Sequence, residues 1–156
     1  SNSSSPVRLP LDTVDLADGW EDLVQYLCLI YQDEAKLRAL SAGEYDALIA
    51  ETLDYRDELQ RGGHLVASNA LELTDAAMSI RVRGNMAYLT DGPFVETKEQ
   101  LGGYLLIEAR DFNEAIRVAT RFPPARLGGI EVRPVRVHAH PESATLVAGV
   151  IDSPVG

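Results

Sequence analysis

Val24-Gln25-Tyr26-Leu27-Cys28-Leu29-Ile30-Tyr31 is an apolar run of strand length, rich in aliphatic and aromatic residues. It reads as a buried strand. The next segment is helical in period. Ser41 and Glu44 have the S-x-x-E spacing of a capping box, and Tyr45, Leu48, Ile49, Leu53 and Leu59 recur at helical intervals between acids and arginines. Gly62-Gly63 ends that helix. A helix with one apolar face needs a sheet to cover, and the strand before it is the first candidate.

The pattern continues outward. His64 to Ala70 is a second strand-like run. Met78, Ile80 and Val82 alternate with Ser79, Arg81 and Arg83, which is period two and predicts one buried face and one wet face. Gly84-Asn85 is a two-residue hairpin signal, and Met86 to Thr90 is the returning strand. Leu105 to Ala109 is a further strand. Asp111 is an expected N-cap, with Glu114 in the third helical position. Phe112, Ala115, Ile116, Ala119 and Phe122 form the stripe of a second helix, which Pro123-Pro124 ends. Ile130 to His138 reads as the last strand, with Pro134 placing part of it at an edge or bulge. The order is β-α-β-β-α-β with a possible extra strand. It predicts an α+β, ferredoxin-like domain: a four-stranded antiparallel sheet with both helices on one face. The uncovered face needs a ligand, a second sheet or another subunit, so a homodimer of the α/β barrel type is expected.

Composition sets the limits. The chain has 156 residues, the size of one ordinary domain, and 46% of them are hydrophobic. The expected organisation is a flexible extension over 1–22, a domain over 23–140 and a tail over 141–156. Trp20 could pin the extension to the body. Fourteen basic residues against 24 acidic ones give a formal charge of −10. That balance argues against nucleic acid as a partner, because phosphate binding needs clustered cations. It argues equally against an anionic membrane surface. One cysteine, Cys28, allows no intrachain disulfide and no CxxC metal knuckle. A reducing, cytoplasmic location fits. No apolar run is long enough to cross a bilayer, and the opening does not read as a signal peptide.

The most specific stretch is Tyr88-Leu89-Thr90-Asp91-Gly92-Pro93-Phe94-Val95-Glu96-Thr97-Lys98-Glu99-Gln100-Leu101-Gly102-Gly103-Tyr104. It closely resembles the signature of the YCII-related family, in the branch named for its Asp-Gly-Pro-Phe motif. Tyr26 to Asp33, Val82 to Gly84, Tyr104 to Glu108, Asp111 to Ala119 and Glu131-Val132-Arg133-Pro134-Val135 extend the resemblance over roughly residues 24–138. The resemblance implies a dimeric α/β barrel of ferredoxin-like domains. It also implies kinship in fold with muconolactone isomerases and polyketide-modifying proteins, and a setting beside extracytoplasmic-function sigma factors. It does not imply a defined activity.

Read physically, Gly92-Pro93 makes a tight turn. Asp91, leading into it, is either a turn former or a functional carboxylate acting as general base. Phe94 can plug a core or a dimer seam. Thr97 and Glu99 are expected to open a helical turn before Gly102-Gly103 reverses the backbone. The wider family is associated with a His–Asp pair whose histidine lies on the first helix, and this chain departs from that pattern: the helix from Glu44 to Arg61 has none. His64, just beyond it, could approach Asp91 as a ligand-binding group, or be an ordinary satisfied histidine. Tyr26, Tyr88 and Tyr104 could line a pocket with phenol groups, or pack in a core or interface. Arg81, with Arg83, Arg133 and Arg136, could hold an anion, or pair with acids on a solvent face. His138 and His140 fall on one side of a strand but lack a third ligand of suitable spacing, so no metal is expected. Cys28 reads as inert core. None of the glycine pairs has phosphate-loop spacing, and no cofactor is expected.

Two functions fit these residues. The first is a dimeric small-molecule-binding or regulatory module with a sigma factor as partner. The alternative is a small cofactor-free isomerase or lyase in which Asp91 is the general base.

Overall fold

The computed structural model describes residues 23–137. Trp20, His138, His140 and the two expected tails lie outside them. The strands are β1 (Val24–Asp33), β2 (Leu65–Ala70), β3 (Met78–Arg83), β4 (Met86–Asp91), β5 (Glu99–Ala109) and β6 (Gly128–Pro134). The α-helices are α1 (Glu34–Ala39), α2 (Ala42–Arg61) and α3 (Phe112–Thr120). The fold class is mixed α+β with antiparallel sheets.

One sheet has four strands in the order β2-β5-β1-β6, with every neighbouring pair antiparallel. Cross-strand partners share a face, so the register sorts the side chains. Tyr26 opposes Ile107 and Cys28 opposes Leu105. These four lie on the helix side and are buried with Ile30, Tyr55, Leu59, Val118 and Phe122. Leu27 opposes Leu106 and Leu29 opposes Tyr104 on the other side, where none is fully buried. Helices α2 and α3 thus pack on one face of the sheet.

The helix ends form where local chemistry places them. Ser41 accepts from the Glu44 amide, and the Glu44 carboxylate accepts from the Ser41 amide, closing the capping box. Asp111 caps α3 by accepting from the Glu114 amide at 2.9 Å. The chain leaves α2 through Gly62 and Gly63, and Gly63 sits at φ 81°, where a glycine is favoured. Helix α1 is an addition to the expected elements. Asp33 caps it by accepting from the amides of Ala35 and Lys36.

Four expectations need correction. β3 and β4 do not join the main sheet; they form a separate two-stranded ribbon. Met78, Ile80 and Val82, expected to be buried, are 51%, 55% and 63% exposed. Period two identifies a ribbon with an apolar face but not what covers it. Further, Thr97–Gly103 contains neither a helical turn nor a reversal. Glu99–Ala109 is a single long strand that runs through Gly102 and Gly103. A β-carbon on Gly103 would stand 2.8 Å from the main-chain oxygen of Asn69 on β2. The glycine is required by close strand approach and not by a turn. The last strand is also shorter than expected and stops at Pro134.

Candidate functional site

Helix α2 is attached to the body by its C-terminal half. Tyr55 and Leu59 are buried, the Tyr55 ring lies 6.2 Å from that of Phe122, and its hydroxyl donates to the Val118 carbonyl at 2.8 Å. The N-terminal half has no buried anchor; its tie to the body is the exposed pair of Glu51 with Arg126 at 2.7 Å. Tyr45, Ile49 and Leu53 remain exposed although they belong to the apolar stripe. The reason lies in the sheet beneath. At that end its helix side is floored by Ser68, Ala70, Gly102 and Gly103, which present little or no side chain for a helix to pack on.

A cleft of about 250 Å³ results, between α2 and the ends of β1, β2 and β5. Its walls are mainly apolar, with Ile30, Leu37, Leu48 and Phe122 among them. Two of its polar side chains are already engaged. The Thr52 hydroxyl donates to the Leu48 carbonyl at 2.7 Å and Gln32 Nε2 reaches the Pro124 carbonyl at 3.4 Å, whereas the Asn69 and Tyr104 side chains are cross-strand partners on the other face of the sheet and bond each other there at 2.9 Å. Arg56 is different. Among the described residues it is the one charged group of the lining, and its Nε is buried without a hydrogen-bond partner. An orphaned buried donor is destabilising unless something accepts from it.

The residues singled out from sequence are dispersed. Tyr104 lines the cleft. Tyr26 lies in the core, 5% exposed, on the helix side of β1, and its hydroxyl is pushed up by burial and then by the Asp111 charge. Tyr88 and Arg81 are cross-strand partners on the ribbon. Tyr88 is exposed, and the Arg81 guanidinium stacks 4.2 Å from the centre of the Phe94 ring. Asp91 ends β4, exposed, and its carboxylate makes no hydrogen bond among the described residues. His64 joins a different group. Its Nδ1 faces the Glu108 carbonyl at 2.9 Å, which requires that nitrogen to carry the proton. Its Nε2 lies 3.9 Å from the buried carboxylate of Glu114, which also accepts from Arg110. This is a polar cluster at the opposite end of β5 from Gly103. Among the described residues no three His, Cys, Asp or Glu side chains gather as metal ligands.

The motif loop is tied to the start of α1. Gln100 Nε2 donates to the carbonyls of Val95 and Thr97, the Thr97 hydroxyl donates to the Glu99 carbonyl, and Lys98 Nζ stands 3.8 Å from Asp33 Oδ2. Asp33 is only 3% exposed. One oxygen caps α1 while the other meets the lysine, so the loop and the first helix are held together by one carboxylate.

The YCII-related domain matches residues 24–139, which is most of the chain and includes every element described. The chain belongs to the YCII-related family. An uncharacterised protein of Rhizobium meliloti (strain 1021) is 32% identical to it over 115 residues, covering 72% of this chain and 93% of its own length. Membership of the YCII-related family places β1 to β6 in one domain without naming a reaction.

Arg56 and Gln32 are not among the residues singled out from sequence, although Arg56 leaves a signal there. It stands three, four and seven positions after Leu53, Thr52 and Ile49, so it falls on the apolar face of α2 instead of the wet one.

Proposed function

We propose that this YCII-related protein is a homodimeric small-molecule-binding module of the Asp-Gly-Pro-Phe branch, built on a ferredoxin-like domain and acting in the cytoplasm. The observation that carries the binding role is the cleft under α2. Its walls are mainly apolar, Thr52 and Gln32 are satisfied internally, and its single charged group has no partner among the described residues. Such a site is equipped to hold a molecule and not to transform one, since no acid, histidine or cysteine among the described residues lines it.

The dimer is supported by two uncovered surfaces. The other side of the sheet presents Leu27, Leu29 and Leu106, each half-buried, and the ribbon presents Met78, Ile80, Val82 and Leu89, all exposed, on one face. Exposed apolar area of this extent marks an interaction surface. The strand order β2-β5-β1-β6 is that of a ferredoxin-like β-α-β-β-α-β path when β3 and β4 are set aside as an insertion. A sigma factor as the regulatory partner rests on the resemblance of residues 88–104 alone.

Native mass spectrometry of untagged protein tests the proposal. The expected result is a dimer that retains, or gains from a metabolite mixture, a small-molecule mass. A monomer would overturn the dimer, and a protein that takes up no small molecule would overturn the binding role.

An enzyme with Asp91 as base is the second reading. It is favoured by one observation: the Asp91 carboxylate is exposed and unbonded among the described residues, free to accept a proton.

A further inference from the structure

We infer that the cleft under α2 selects a compact apolar monocarboxylate, and that Arg56 is the group that recognises its carboxylate. This rests on the small-molecule-binding role proposed above and adds the chemical class of the ligand.

Charge is the first ground. The whole chain carries a formal −10, yet no acid among the described residues lines this cleft, and Arg56 is its one ion. The local field therefore favours an anion within a protein that otherwise repels one. Hydrogen bonding is the second. Arg56 makes no hydrogen bond or ion pair among the described residues, its Nε being buried and unpartnered, while Thr52 and Gln32 are already engaged. A carboxylate supplies the acceptor and counter-charge that this unpaired guanidinium lacks, and its planar group suits the fork. Size is the third. About 250 Å³ gives room for a ligand of on the order of ten non-hydrogen atoms. The apolar walls require that most of these be carbon. A single lining cation argues against phosphates and dicarboxylates, which would bury a second charge without a partner.

The test uses octanoate and its neutral counterpart, 1-octanol, titrated into the full chain and followed by backbone amide NMR. Octanoate is expected to shift the amides of Thr52, Ser68 and Gly103 and to bind about ten- to a hundredfold more tightly than the alcohol. Arg56→Met should abolish that preference while leaving alcohol binding in place. Ile49→Trp, which fills the cleft from the partly exposed side of α2, should reduce the binding of both. If Arg56→Met does not fold, the acid-to-alcohol ratio in the unaltered protein decides alone. Equal affinities would overturn the inference but leave a small-molecule cleft intact. No shift at these amides with either probe would overturn both the inference and the binding role, and would make a protein segment the expected occupant.

Discussion

The Tyr55 hydroxyl donates to the main-chain carbonyl of Val118 at 2.8 Å, a buried contact between residues 63 positions apart that ties α2 to α3. The Arg121 guanidinium lies 4.8 Å from the centre of the same ring, and Arg121 in turn pairs with Glu58. This one side chain thus anchors the end of α2 that remains against the body. Tyr55→Phe keeps the ring and removes one of two donors to the Val118 carbonyl, which still accepts from the Arg121 amide at 3.3 Å. We expect a loss of about 0.5–1.5 kcal/mol in urea unfolding, with the fold unchanged by circular dichroism. A loss below the error of the measurement would show that the anchor is the ring alone.

Burial also sets an alkaline limit. It pushes the Tyr55 phenol up to about 12 from 10.0, and the Cys28 thiol up to about 12 from 9.0. Both groups hold their proton more tightly when folded. Their contribution is fully present below the unfolded values and is lost as pH rises through the folded ones. Stability should therefore decline from about pH 9 and more steeply above 10, up to about 12. Denaturation midpoints across that window check the direction. Cys28 should also resist thiol-specific alkylation at mildly alkaline pH until denaturant is added.

Asp33 and Lys98 should be unequal partners. Asp33 is buried and caps α1, whereas the Lys98 side chain is 79% exposed. Asp33→Ala is expected to cost about 0.5–2 kcal/mol through the lost cap. Lys98→Ala should fall within about 1 kcal/mol, and less at high salt. Equal losses in paired urea titrations would mean that the ion pair, and not the cap, is what Asp33 provides.

Gly92 sits at φ 105°, and its amide donates to the Ala77 carbonyl at 2.8 Å, closing the base of the ribbon. Gly92→Ala should cost about 1–2 kcal/mol from the backbone conformation. Asp91→Asn, one residue earlier, removes no hydrogen bond among the described residues and should change stability by less than about 0.5 kcal/mol. That makes it a clean probe of the enzymatic reading. Once a turnover assay exists, unchanged turnover in Asp91→Asn would remove Asp91 as the base.

In the core, Leu105 is fully buried on the helix side of β5. Leu105→Ala should cost about 2–5 kcal/mol in thermal or urea unfolding, through lost burial and the cavity left behind. A small loss would mean that the helices can settle onto the sheet, contrary to the tight packing expected of an interior.

Local signals make much of the fold legible in the sequence. Ser41 with Glu44, Asp111 with Glu114, the stop at Gly62-Gly63 and the hairpin at Gly84-Asn85 all lie within a few residues of the groups they bond. Their outcome depends on chemistry adjacent in the chain, so the amino-acid order alone determined them, and with them the family and the alternation of strands and helices. Other features depend on what distant segments do. Period two in Met78–Arg83 marks an apolar face, but only the pairing of β5 with β1 and β2 decided that this ribbon stands outside the main sheet. Gly102-Gly103 permits a reversal as readily as a strand, and the approach of Asn69 on β2 selected the strand. The cleft comes from the same long-range event: small residues meet beneath α2, the helix is anchored at one end only, and Arg56 is left buried with an unpaired donor. Local bonding is written in neighbouring residues, whereas burial, and the cost of an unpaired group, exist only once remote segments have closed around them.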